Sequence, residues 1–389
     1  MPGKHIEMNS HGSGAPCRRC RIQESCIVVR IEPLCRDCFV KYVHTKVIKR
    51  MESFRVRHSA AGQERKMLLP ISFGVSSVTL LHILDGHLRR QQENTGRKGF
   101  ALCVLYVHTS TVEKDRSAVG QLEQLEERYP GHAYSSAPLA DIFTGKDVKE
   151  ALEGLPGSDT KEEAGPPRSN QSRLGELIAS LPSASSRADV ISILRTKLVI
   201  RMAQKYDCEG ILWGDSTTRL AEKTLAETAK GRGFSLPWQV ADGPSPHGIT
   251  FNYPLRELLR KELLAHADMV SPSLTPLTSN QSATVQAPTS SKNTTIDDLM
   301  KQYFESVEEN YPSIVANVVR TSTKLETPSA QPADQLCRLC NLPVPDGLFG
   351  IHGWGGDQEE AVSDSTDESS TGLCYGCTRS IPQSVSSLP

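Results

Sequence analysis

Apolar positions recur along the chain with two different periods, and the period changes at turn residues. In "KMLLPIS" (66–72), Met67, Leu68, Leu69 and Ile71 form a short, nearly continuous apolar run, the pattern of a strand buried on both faces. From Ser76 to Gln91 the spacing lengthens, and Val78, Leu81, Leu84 and Leu88 fall on one helical face. "FALCVLYVHT" (100–109) predicts a second buried strand, and a helix is expected over 113–128 with Val119, Leu122 and Leu125 inward. Further on, Ser186 is placed to cap a helix whose N3 residue is Asp189 and whose apolar face carries Ile191, Leu194, Leu198 and Met202. Arg195, Lys197, Arg201 and Lys205 lie mostly off that face, where they suit either a solvated surface or a polyanion. "GILWGDS" (210–216) predicts a third strand, 218–230 a helix ended by "KGRG", 255–268 an amphipathic helix, and "IDDLMKQYFESVEENYP" a last helix. Strand and helix in alternation predict a doubly wound, mostly parallel α/β sheet.

The stretches between these elements set the expected organisation. A Pro/Gly/charge-rich segment near 150–186 predicts an irregular insertion, and the Ser/Thr/Pro/Gln-rich 271–295 predicts a linker. The chain thus divides into a basic N-terminal module (1–60), an α/β core (66–270), the linker, a helical segment (296–325) and a C-terminal module (335–380).

Charge is distributed unevenly. The net charge is −1 over 389 residues, yet residues 1–66 hold 14 Lys/Arg against 6 Asp/Glu, and 357–368 hold six acids and no base. A basic front end fits an anionic partner, nucleic acid foremost, as well as a solvated surface. The opening residues lack the apolar run of a signal peptide, and no stretch reaches the roughly 18 apolar residues of a membrane span. A soluble, cytoplasmic protein that makes no use of a membrane is expected.

Eight of the eleven cysteines fall in four CxxC pairs: Cys17/Cys20, Cys35/Cys38, Cys337/Cys340 and Cys374/Cys377. This spacing predicts two structural zinc sites of four thiolates each, with cross-pairing of one N-terminal and one C-terminal turn as the alternative. Zinc binding of roughly 10–16 kcal/mol lets such modules fold on little apolar core. Arg18 and Arg19, inside the first CxxC turn, are candidates to meet phosphates. Cys103, within an apolar strand, and Cys208, flanked by acids, are read as structural.

The turn between the first strand and helix reads Ser72-Phe73-Gly74-Val75-Ser76-Ser77. With Gly214-Asp215-Ser216, Ala221-Glu222 and Lys230-Gly231 at compatible spacing, it resembles the PP-loop ATP pyrophosphatase family, of adenine nucleotide alpha hydrolase-like type, whose loop is S-G-G-x-D-S. The CxxC quartets, "KGRGFSLPW", "FNYPLREL" and "NYPSIVANVVRTSTKL" extend the resemblance to its tRNA 2-thiolation branch, and there to the non-catalytic member of a heterodimer. The resemblance implies a role in 2-thiolation of the wobble uridine of tRNAs of the Lys, Glu and Gln type. In that chemistry ATP adenylates the uridine C2 oxygen, and sulfur from a thiocarboxylated ubiquitin-like carrier, the agent also of protein urmylation, displaces it. The implied partners are a catalytic PP-loop subunit, tRNA and the carrier, with Arg18, Arg19, Arg195, Lys197 and Arg201 as tRNA contacts.

The loop departs from the family pattern in its chemistry. Phe73 stands for a glycine, setting a large side chain and a backbone less free to reach positive φ where phosphate approaches. Ser76 stands for the acid that helps hold Mg²⁺. No cysteine occurs in 185–202 or 251–275, where catalytic members carry them. Ser72, Gly74, Ser76, Ser77, Gly214 and Asp215 thus outline a degenerate nucleotide loop with no catalytic residue, and ATP binding by this chain is not expected. An autonomous ATP-dependent tRNA sulfurtransferase with an atypical loop, or a zinc-stabilised regulator, are the competing readings.

Overall fold

A computed structural model describes residues 15–54, 58, 65–109, 118–145, 169–279, 294–326, 336–345, 349–350 and 372–381. At its centre is a six-stranded sheet formed by β3 (Lys66–Ile71), β4 (Ala101–His108), β5 (Ala133–Pro138), β6 (Gly210–Leu212), β7 (Gly243–Pro244) and β8 (Thr250–Asn252). The strand order is β5-β4-β3-β6-β8-β7, parallel throughout except for β7, which pairs antiparallel with β8. A two-residue edge strand of this kind shortens the exposed ladder. From β3 the chain builds the sheet outward through β4 and β5, then returns to place β6 on the other side. The order therefore reverses between β3 and β6, and the crevice beyond their carboxyl ends is where open α/β sheets bind ligands.

Alternation along β3 divides the core between the two faces of the sheet. Met67, Leu69 and Ile71 point to one face, packed by α1 (Arg36–Arg50), α2 (Val75–Thr95) and α8 (Arg260–Met269). Leu68 points to the other, built largely from α4 (Asn170–Ser180), α5 (Ala184–Lys205) and α6 (Thr217–Ala229). Further helices are α3 (Ala118–Arg128), the short α7 (Leu236–Val240), α9 (Ile296–Asn310), α10 (Pro312–Ser322) and α11 (Tyr375–Ser380). Helices α9 and α10 pack on α6. Phe304 is fully buried, and Glu308 accepts from the Thr218 hydroxyl at 2.7 Å.

Several expectations are corrected. The cap of α5 is Ser183, whose hydroxyl accepts from the Ser186 N–H at 3.0 Å; Ser186 lies inside the first turn. Asp189 is buried rather than serving the cap. The irregular segment expected to reach 186 gives way to α4, capped by Ser169 and held by buried Leu174, Leu177 and Ile178; residues 146–168 lie outside the described residues. The linker expected from 271 starts as packed chain, with Leu274 and Leu277 buried and Ser279 N–H donating to the Phe73 carbonyl at 2.8 Å. The helix expected from 255 begins at Arg260, and α10 follows α9 because Pro312 suits a first helical turn.

The N-terminal module is fastened to the core rather than set apart from it. Strands β1 (Ile27–Val29) and β2 (Glu32–Leu34) form an antiparallel hairpin, and Cys35 caps the start of α1. Along α1, Tyr42 donates to Glu262, His44 Nε2 lies 3.1 Å from His266 Nε2, and Lys46 pairs with Glu257 at 2.7 Å.

Candidate functional site: a cleft at the switch point

A cleft of about 400 Å³ opens at the carboxyl ends of β3, β4 and β6. Ser72, Ser77, Gly214, Asp215, Arg195 and Lys197 all line it, so the structure brings together the two turns and part of the basic helix singled out in the sequence. Arg18 and Arg19 are exposed on the N-terminal four-cysteine module and do not line the cleft.

The turn after β3 leads from the strand directly into the N-terminus of α2. Phe73 adopts φ +55°, the left-handed conformation that favours glycine, at a cost of about 1–2 kcal/mol. Its side chain does not enter the cleft. The ring is 2% exposed and packs with its centroid 4.9 Å from that of Tyr106. The expected obstruction is thus corrected: burying an aromatic ring offsets the backbone strain.

The hydroxyls of this turn are engaged with one another. Ser77 Oγ accepts from the Ser72 N–H at 3.3 Å, lies 3.3 Å from Ser72 Oγ, and donates to the Gly74 carbonyl at 3.1 Å. The Gly74 N–H points to Ser72 Oγ at 3.4 Å. The Ser72 and Ser77 hydroxyls are therefore paired within the turn, although both residues border the cleft. The second turn closes on the first. A Cβ on Gly214 would lie 3.0 Å from Ser77 Cα, so only glycine lets the two backbones meet.

The opposite wall of the cleft is ionic and was not legible in the sequence. Arg232 is 2% exposed; its Nη1 donates to Asp189 Oδ2 at 2.9 Å and its Nε to Glu227 Oε2 at 2.7 Å. Burial alone would raise the Glu227 carboxyl, but the Arg232 guanidinium outweighs it and holds the group down at about 2. Lys230 spans Asp189 at 3.3 Å and Asp297 at 2.7 Å. Lys223 also lines the cleft, and burial pulls its ammonium below the usual lysine range while Asp215 opposes this. Glu222, the acid of the Ala221-Glu222 pair, is buried and raised by desolvation, with Arg219 opposing at 2.9 Å.

This network seats the C-terminal four-cysteine module. Ser380 Oγ donates to Asp189 Oδ2 at 2.6 Å, and Gly231, at φ +75°, leaves room for the Tyr375 ring. Lys197, expected on the outer face of its helix, is instead 7% exposed and donates to the Arg338 carbonyl at 3.3 Å. Arg201 donates to the carbonyls of Asp141 and Ile142 at 3.3 and 3.0 Å. These two cations are drawn inward because carbonyls of neighbouring segments end against α5 and need donors. Arg195 is half-buried at the mouth.

Each quartet gathers on its own, without cross-pairing. In both, the four Sγ atoms lie within 4.8 Å of one another, with Cys20–Cys35 at 3.8 Å and Cys340–Cys374 at 4.0 Å. Four thiolates at about 2.3 Å from one tetrahedral ion stand about 3.8 Å apart, so these groups fit a single ion. Sulfurs spread over different iron atoms of a cluster would sit farther apart. Cys208 is buried, and its contact with the Cys103 thiol, then burial, push its own thiol up, which removes it as a nucleophile.

A mostly parallel α/β sheet with a phosphate-type loop at its switch point and a four-cysteine group near each end defines a PP-loop-type fold. The same architecture is seen in the U34-tRNA thiolase NcsA from Methanococcus maripaludis with its [4Fe-4S] cluster, at TM-score 0.55 and 15% identity, over 88% of this chain and 97% of that one. A protein named cytoplasmic tRNA 2-thiolation protein 2 from Phaeosphaeria nodorum is 55% identical over 386 residues, 98% of each chain. Another of that name from Pyrenophora tritici-repentis is 52% identical over 388 residues, 100% of this chain and 99% of the relative. The family described as cytoplasmic tRNA 2-thiolation protein 2 also matches at residues 295–348. The chain belongs to the cytoplasmic tRNA 2-thiolation protein 2 family. The expected cytoplasmic setting agrees with that name, and no helix among the described residues is long and apolar enough to cross a membrane.

Proposed function

We propose that this chain is the non-catalytic subunit of a heterodimeric tRNA thiolase, supporting 2-thiolation of the wobble uridine by a catalytic PP-loop partner. One observation carries the reading: Ser72 and Ser77 engage each other and Gly74, while the metal-holding acid at position 76 is replaced by serine. A turn so arranged positions α2 and packs against Gly214 but offers little to a pyrophosphate. The absence of cysteine from 185–202 and 251–275 points the same way, because the sulfur-handling groups must then come from another chain.

In this reading zinc fills both four-cysteine groups, Arg18, Arg19 and Arg195 face tRNA, and the partner receives sulfur from the thiocarboxylated ubiquitin-like carrier. Lys197 and Arg201 hold the fold instead, given the carbonyls they bond. The test is reconstitution. The purified chain alone should neither consume ATP nor form adenylated uridine, and 2-thiouridine should form when the catalytic subunit and carrier are added. Turnover by the isolated chain would overturn the proposal in favour of an autonomous sulfurtransferase.

A further inference from the structure

On the α1 side of the core, away from the cleft, α1 and α2 form the walls of a groove of about 1200 Å³. Its cations are Arg36, Lys41, Lys49 and Arg90, all exposed, against the single acid Asp37. Lys41 and Lys49 make no ion pair among the described residues, whereas Lys46 and Arg50 of the same helix are paired with Glu257 and Asp242. The paired cations thus dock the helix, while Lys41 and Lys49, the latter also in the field of Glu257, stay exposed on the groove. Lys41 and Lys49 stand eight residues apart, about 12 Å along a helix rising 1.5 Å per residue. The imidazole rings of His44 and His82 also line the groove, with centroids 5.9 Å apart. Asn94 adds an exposed amide to the lining, while Thr45 and Gln91 are hydrogen-bonded within the fold.

We propose that this groove is an RNA-binding track: Lys41, Lys49 and Arg90 contact phosphates along a single-stranded segment. The proposal rests on the tRNA reading above and gives that partner a surface outside the cleft. A concave trough with helical walls does not suit a flat membrane. Exposed cations along a trough match the general design of single-strand binding surfaces, where positive charge follows the backbone.

The experiment measures binding of fluorescently labelled tRNA to the full chain by polarisation across a salt series. Wild type is compared with K41E/K49E/R90E and with the milder K41Q/K49Q, each checked by thermal melting. The charge-reversed variant should bind about tenfold or more weakly, and its log–log salt slope should be shallower by about two to three, since each phosphate contact contributes ~0.7–0.9. K41Q/K49Q should give an intermediate loss with an unchanged melting temperature. If wild type binds tRNA and both variants match it in affinity and slope, the groove proposal is wrong while the functional reading stands. If wild type binds no tRNA even at low salt, the functional reading fails and the groove with it. Displacement of the tRNA by polyglutamate as readily as by unlabelled RNA of equal charge, or preference for anionic vesicles, would overturn the assignment to RNA.

Discussion

Ser380, in the last helix described, donates its hydroxyl proton at 2.6 Å to Asp189, a residue 191 positions earlier in the chain. The same carboxylate accepts from Arg232. Through this one side chain the C-terminal four-cysteine module, the central helix α5 and the "KGRG" loop meet over the cleft.

Loss of metal from the C-terminal site should therefore be felt at the cleft. Cys374→Ser is expected to lower bound zinc by about one equivalent and expose the chain near Lys197 and Arg232 to limited proteolysis. Ser380→Ala removes the hydroxyl's contacts with Asp189 and the Gly376 carbonyl and should cost only ~1 kcal/mol with metal content unchanged. Metal analysis alongside proteolysis separates the two.

Arg232→Met should be among the more damaging single changes. It removes the guanidinium to which both Asp189 and Glu227 are bonded, leaving Lys230 at 3.3 and 3.4 Å from them, and breaking a buried ion pair typically costs about 3–5 kcal/mol. Chemical denaturation reads this directly. Glu227 is held at about 2 in the folded chain, below its unfolded value, so its contribution is present above roughly pH 4.3 and is lost as pH falls towards 2.

Phe73→Gly tests the balance at the loop. Glycine relieves about 1–2 kcal/mol of left-handed strain, but losing the buried ring costs about 3–5 kcal/mol. A net destabilisation is expected, and ATP binding should not follow. Nucleotide binding by the variant would show that the ring, not the paired hydroxyls, shuts the site.

Gly214→Ala should separate the two turns. Its Cβ would meet the Ser77 backbone at 3.0 Å, and overpacking of this kind costs about 1–3 kcal/mol. Thiolation by the reconstituted complex should fall with it, whereas Ser77→Ala, which keeps the backbone approach, should leave thiolation largely intact.

His44, His82 and His266 predict a pH dependence. Burial pulls them to about 4, 4 and 3, below the ordinary 6.5. The unfolded chain then binds protons that the folded chain refuses, so stability should fall as pH drops from about 6.5 towards 4 and be regained above that range. His266→Phe should make the decline shallower, as measured by melting temperature against pH.

The repeating apolar periods made β3, β4, β6 and several helices readable in advance, because strands buried on both faces and helices buried on one leave distinct spacings; β5, with its small and polar residues, leaves no such run. The CxxC turns were equally plain, since four soft ligands for one ion must come in such pairs. Less could be read of side chains whose role depends on a distant neighbour. Lys197 looks like a surface cation by its position on α5, and only the nearby Arg338 carbonyl explains its burial. Phe73 looks like an obstruction until Tyr106 supplies a place for its ring. Asp189, read as part of a helix cap, proved to be an ionic hub because a segment near the chain end returns to it.

By itself the sequence determined the α/β class and the four CxxC pairs, since each depends on residue types at short, fixed spacing; the reading of a phosphate loop without its acid rests on a family resemblance. The tertiary structure decided which quartet members join, how Gly214 abuts Ser77, and that the C-terminal module walls the cleft. Those relations join segments far apart in the chain, and local spacing carries no record of which distant backbone will supply a carbonyl, a counter-charge or an empty volume.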